Sequence, residues 1–132
     1  METRTASCSC GALTATCEGE PVRRSICHCL ACQRRTGSAF GLNAHWPSER
    51  VRIEGESRSF TRSGDEGYWA RTHFCPDCGA TVFYEIERRP GVISIPVGAF
   101  ADPCFPEPSV AVYSHRRHPW LRFETALPLV EE

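Results

Sequence analysis

Cys27-His28-Cys29-Leu30-Ala31-Cys32 puts three thiols within six residues. Core packing does not ask for that density, because a buried structural cysteine behaves as a small hydrophobe and needs no thiol neighbour. A C-x-C-x-x-C run instead delivers three soft, anionic sulfurs to one point, which suits a metal such as zinc. Three sulfurs leave one corner of a tetrahedron open. This stretch therefore predicts a small fold held by metal, with an open metal site at Cys27, Cys29 and Cys32.

Two further clusters flank it. Cys8-Ser9-Cys10-Gly11 stands near the start, and Cys75-Pro76-Asp77-Cys78-Gly79 follows sixty-five residues later. The second has the form of a zinc-knuckle turn, in which Pro and Gly bend the backbone so that two thiolates face one ion. Neither pair fills a tetrahedron alone. Together they supply four thiolates, the arrangement of a closed structural zinc. The competing reading is packed or disulfide-bonded cysteine. Cys8 and Cys10 make poor disulfide geometry with each other. Nine cysteines is an odd count, and the start, Met1-Glu2-Thr3-Arg4-Thr5-Ala6-Ser7, has no apolar signal core. The expectation is a cytoplasmic chain in a reducing compartment, where thiols bind metal.

The three-thiol site has five candidate fourth ligands: His28, Cys17, His45, His73 and Cys104. His28 lies between two ligands, so its ring is expected to point away. If Cys17, Cys104 or an imidazole completes the set, the second zinc is structural too. If none does, the pattern is that of a catalytic zinc with an exchangeable position. Three thiolates make the metal a weak Lewis acid for water but a suitable seat for another thiolate, ionised on binding. That sulfur is a nucleophile for a carbonyl carbon, or in reverse a leaving group from one.

The composition supports a single domain over 1–132. Hydrophobic content is 41% and charged content 23%, the balance of a globular chain rather than a disordered one. The net charge of -1 lacks the basic excess of a protein built on phosphate contacts, which argues against nucleic acid. No apolar run reaches the roughly 18 residues of a membrane span. No phosphate-binding loop, dinucleotide fingerprint or nucleophile elbow is present. Ten prolines and ten glycines divide the chain into short segments of β-type composition at 12–17, 22–26, 39–45, 50–53, 57–61, 68–73, 80–86, 91–96, 110–114 and 120–123. Turns separate them, among them 63–67 and the Pro-rich 102–108. The fold class predicted is all-β, with several antiparallel sheets and one short helix at 30–36. Gly37 ends that helix, and Arg34 and Arg35 suit its dipole.

The motifs in order are Cys8-Ser-Cys-Gly, Cys27-His-Cys-x-x-Cys-Gln-Arg-Arg-Thr-Gly, Gly55-Glu56, Phe74-Cys-Pro-Asp-Cys-Gly, Val97-Gly-Ala-Phe and Trp120. In that order and spacing the chain resembles the glutathione-dependent formaldehyde-activating family, from about residue 5 to residue 123. The resemblance implies a β-tent type fold with two zinc ions, one structural on Cys8, Cys10, Cys75 and Cys78, the other beside the substrate on Cys27, Cys29 and Cys32. It implies glutathione as cosubstrate and the condensation of formaldehyde with glutathione to S-hydroxymethylglutathione, a carbon–sulfur lyase reaction written backwards. One departure is visible: members often carry a His where Ala111 stands here, with His115 and His118 a little later.

Arg34 and Arg35 are the candidates for binding glutathione carboxylates or offsetting the zinc–thiolate charge. Arg88-Arg89 and Arg116-Arg117 read as surface charges, and Trp46, Trp69 and Trp120 as core or pocket wall. The partners expected are a small-molecule thiol and an aldehyde. The oligomeric state is open, a homodimer included. The alternative function is a non-catalytic zinc module that binds a thiol or a protein partner.

Overall fold

The computed structural model describes residues 1–64, 66–124 and 126–130. Asp65, in the turn expected at 63–67, lies outside the described residues. The strands are β1 (Thr3–Ser7), β2 (Thr14–Glu18), β3 (Arg23–Cys27), β4 (Gly41–Pro47), β5 (Val51–Glu54), β6 (Arg58–Ser63), β7 (Trp69–Phe74), β8 (Thr81–Ile86), β9 (Val92–Pro96), β10 (Val110–Val112) and β11 (Leu129–Val130). One α-helix, α1 (Leu30–Thr36), follows β3. A three-stranded sheet runs β1-β2-β5, and an eight-stranded sheet runs β11-β10-β3-β4-β9-β8-β7-β6.

Alternation along β4 builds both faces of the large sheet. Ala44 pairs with Ile95 and Trp46 with Ile93. These side chains join Ala6, Leu13, Ala15 and Cys17 from the small sheet's side in one core. The intervening residues point the other way: Asn43 lies opposite Ser25 and His45 opposite Ser94. That second face is also covered, so β4 is buried along four consecutive residues, as a strand closed on both sides should be. Trp46 satisfies its indole N–H on the carbonyl of Gly19 at 3.0 Å.

The all-β reading with one short helix holds, and the helix spans the expected residues. Gly37 closes it in the left-handed conformation, φ 67°, its N–H donating to the carbonyl of Gln33. Three details differ, besides β11, which forms beyond the last expected segment. β1 was not expected, because in Thr3–Ser7 only Ala6 is fully buried, so the apolar signal is weak. No strand forms at 120–123: Pro119 sits within a turn in which Leu121 N–H donates to His118 O at 3.0 Å, and Trp120 is 66% exposed. The expected antiparallel order also breaks at one edge, where β10 pairs parallel with both β3 and β11. β10 stops at Val112 because Tyr113 takes a left-handed backbone, φ 54°.

Candidate active site and metal centres

The first cluster is made by two matching turns. After β1, Cys8 N–H donates to Leu13 O and Gly11 N–H to Cys8 O. After β7, Cys75 N–H donates to Ala80 O and Gly79 N–H to Cys75 O. The amide of Leu13 points at Cys8 Sγ (3.2 Å) and that of Asp77 at Cys75 Sγ (3.4 Å). Such donors favour thiolate. The backbone N–H of Leu13 lowers Cys8, and that of Ala80, acting first among several groups, brings Cys78 down to about 6. The sulfurs of Cys8, Cys10, Cys75 and Cys78 all lie within 4.8 Å of one another. This group ties a turn of the small sheet to a turn of the large one, and its four-sulfur donor set fits a closed zinc site.

The second cluster sits where β3 ends and α1 begins. Cys27 is the last residue of its strand, and Cys29 caps the helix, its Sγ accepting from the backbone N–H of Cys32 at 3.3 Å. The sulfurs of Cys27, Cys29 and Cys32 are buried and lie within 4.8 Å of one another. Crowding lets one of them ionise at the others' expense. Hydrogen bonds from Cys27 and then Cys32 bring Cys29 to about 2, while its bond to Cys29 pushes Cys27 far up. A soft dication would let all three ionise together, so the donor chemistry fits a zinc here as well.

None of the five candidate fourth ligands joins this group. Among the described residues, no other Cys, His, Asp or Glu lies within 4.8 Å of all three sulfurs. Cys17 is wholly buried in the inter-sheet core. Cys104 is exposed. His73 pairs with Glu85 at 2.7 Å and stacks on Phe83. His45 bonds two serines. His28 is fully buried 6.1 Å from the ring of Phe123, with no hydrogen-bond partner on either nitrogen.

All three thiols line a cavity of about 100 Å³ on the second face of the large sheet. Ser25, Asn43 and His45 line it with them and are buried. Arg23, Arg62, Arg88 and Arg89, half-buried or exposed, also line it, and no carboxylate does among the described residues. Trp69 and Tyr113 complete part of the wall. The left-handed backbone of Tyr113 is costly for a bulky residue and typical of functional positions.

Arg34 and Arg35 do not line this cavity. Arg34 is exposed. Arg35 lies beside the thiols: its Nη2 and Cys32 Sγ stand 3.2 and 3.6 Å from where a β-carbon on Gly41 would be. Arg88 and Arg89, read from sequence as surface charges, also line the cavity, Arg88 exposed and Arg89 half-buried. The cavity arginines come from three different segments and carried no local signal. The polar floor did carry one: Ser25 and Cys27 alternate along β3, as Asn43 and His45 do along β4, a polar stripe on strands otherwise buried.

The fold and site define a small β protein with two thiol clusters, one between the sheets and one under a cationic cavity. The chain belongs to the glutathione-dependent formaldehyde-activating enzyme family, whose model matches residues 3–116. Among curated proteins, none matches it. A similar fold occurs in the crystal structure of a Rhodobacter sphaeroides protein from structural genomics, 19% identical, with a TM-score of 0.55 over 72% of this chain and 85% of that one. No helix is long and apolar enough to cross a membrane among the described residues.

Proposed function

We propose that the protein forms and cleaves the carbon–sulfur bond between a glutathione-type thiol and a small aldehyde, formaldehyde being the one the family name points to. The observation that carries this reading is the meeting of three buried thiols and four arginines in one cavity. In this reading Cys8, Cys10, Cys75 and Cys78 hold a structural zinc and Cys27, Cys29 and Cys32 a second one. The second ion, when bound, keeps an incoming thiol ionised at neutral pH.

The protein's own groups do the rest. Roughly 100 Å³ suits the reactive end of a thiol with a one-carbon partner, not a whole tripeptide. Glutathione therefore lies across the opening, where Arg23, Arg62, Arg88 and Arg89 take its carboxylates as planar, forked donors do. Arg35, beside Cys32, offsets thiolate charge instead. The sulfur attacks the carbonyl carbon, the C=O electron pair moves to oxygen, and the proton given up by the thiol ends there.

Exchange NMR of a formaldehyde–glutathione mixture, with and without the zinc-loaded protein, tests this. Faster interconversion of free and hydroxymethylated glutathione is expected, and Cys29→Ser should abolish the acceleration. Tight glutathione binding with no acceleration for any small aldehyde would replace the reading with that of a non-catalytic thiol-binding module.

A further inference from the structure

The floor of the cavity contains a polar group with an unmet need. Asn43 is 2% exposed, and its Oδ1 has no hydrogen-bond partner. A buried acceptor left so is costly, and an amide facing a cavity marks where a ligand brings a donor. Directly across the strand pair stands Ser25, 3% exposed. Its hydroxyl lies 3.1 Å from His45 Nε2, and His45 Nδ1 lies 2.7 Å from Ser94 Oγ. All three are buried.

We infer that Ser25 and Asn43 form a binding site for the carbonyl-derived oxygen of the adduct, with His45 and Ser94 positioning Ser25. This rests on the thiol–aldehyde reading above. It assigns chemistry to residues outside both cysteine clusters.

The donor directions support it. One arrangement runs from Ser94 O–H to His45 Nδ1, and from His45 Nε2–H to Ser25 Oγ. It leaves the Ser25 proton free to point into the cavity. An aldehyde oxygen only accepts, so it takes that proton as its hydrogen bond. After addition the same oxygen is a hydroxyl. It still accepts from Ser25 and now donates to Asn43 Oδ1. Charge developing on oxygen as the C–S bond forms and the C=O π bond breaks thus meets a preset donor, as in oxyanion sites generally. The relay needs an uncharged imidazole, and burial, aided by Arg23, lowers His45 to about 4. Ser25 is then the catalytic residue and His45 a positioning one. The preference is for a hydroxymethyl thioether over a plain methyl one.

The test compares two ligands on the zinc-loaded protein by calorimetry: glutathione with saturating formaldehyde, which supplies S-hydroxymethylglutathione, and S-methylglutathione. Formaldehyde meets no lysine ε-amine, because all fifteen basic side chains of the Lys and Arg class are arginine. The hydroxymethyl compound should bind about tenfold tighter or more. Ser25→Ala and Asn43→Ala should each bring that ratio toward one. So should His45→Phe, which keeps a ring but neither hydrogen bond. A general loss of fold lowers both affinities and leaves the ratio, so the ratio is diagnostic even in a weakened variant. A wild-type ratio of one, or a ratio unmoved in Ser25→Ala and Asn43→Ala, overturns the inference while glutathione binding stands. Failure of glutathione itself to bind overturns the thiol reading and the inference with it.

Discussion

Gly55 shows how one residue decides a site some distance along the chain. Its backbone is left-handed, φ 100°, and a β-carbon there would fall 2.0 Å from the carbonyl oxygen of Ala12 and 3.1 Å from Cα of Leu13. Leu13 is the residue whose amide points at Cys8 Sγ and whose carbonyl receives the Cys8 N–H. Gly55→Ala must therefore push the 12–13 segment away from the first sulfur cluster. The expected loss in urea unfolding is about 3 kcal/mol or more, combining backbone strain with the displaced contact. A loss below about 1 kcal/mol would show that the segment yields freely. Gly55-Glu56 was legible as part of a motif, but its steric role required the neighbouring turn.

At the scale of the element, α1 has seven residues, too few for helix propensity to hold it. Its ends do so instead. Cys29 Sγ accepts from Cys32 N–H at the start. Thr36 bonds back to Cys32 O at 2.8 Å near the end, and Gly37 closes it. Gln33 anchors the middle, reaching His28 O at 2.9 Å and His118 Nε2 at 2.9 Å. A β-carbon at Gly37 meets nothing within 4 Å, so Gly37→Ala changes only the backbone preference. It should cost about 1 kcal/mol in chemical denaturation and leave metal content, read by elemental analysis, unchanged. The contrast with Gly55 separates a conformational cost from a steric one. This element was readable in advance because capping chemistry is local. The strand at β10 was readable too, within the segment expected at 110–114, but its parallel pairing was not, because its partner β3 lies far away in the chain.

For the whole molecule, the two clusters differ in what they connect. The four-sulfur group joins a turn of the three-stranded sheet to the β7–β8 turn of the eight-stranded one. The three-sulfur group comes from six consecutive residues and joins little that the chain does not already join. Structural zinc contributes on the order of 10 kcal/mol in small folds, comparable with their whole stability. Cys75→Ser should therefore unfold the protein, judged by circular dichroism. Cys32→Ser should lose one equivalent of zinc and keep a cooperative melt. Stepwise chelation should remove the ion on the three-sulfur site first, before any loss of ellipticity. Equal collapse of both variants would show that the second cluster is also a fold staple.

The sequence by itself determined the sulfur sets, the single helix and the all-β class, because each depends on spacing within a few residues or on composition. It also placed the chain in its family through ordered motifs. Only the tertiary structure decided that Cys17, Cys104, His45 and His73 stand apart from the three-thiol group, since they lie on other strands and loops whose distance from it is set by sheet order. It alone brought Arg23, Arg62, Arg88 and Arg89 around one cavity, and seated Ser25, Asn43 and His45 on one face through strand register. Register is a long-range property: side chains alternate every residue, and which polar residues share a face depends on pairings between segments far apart in the chain.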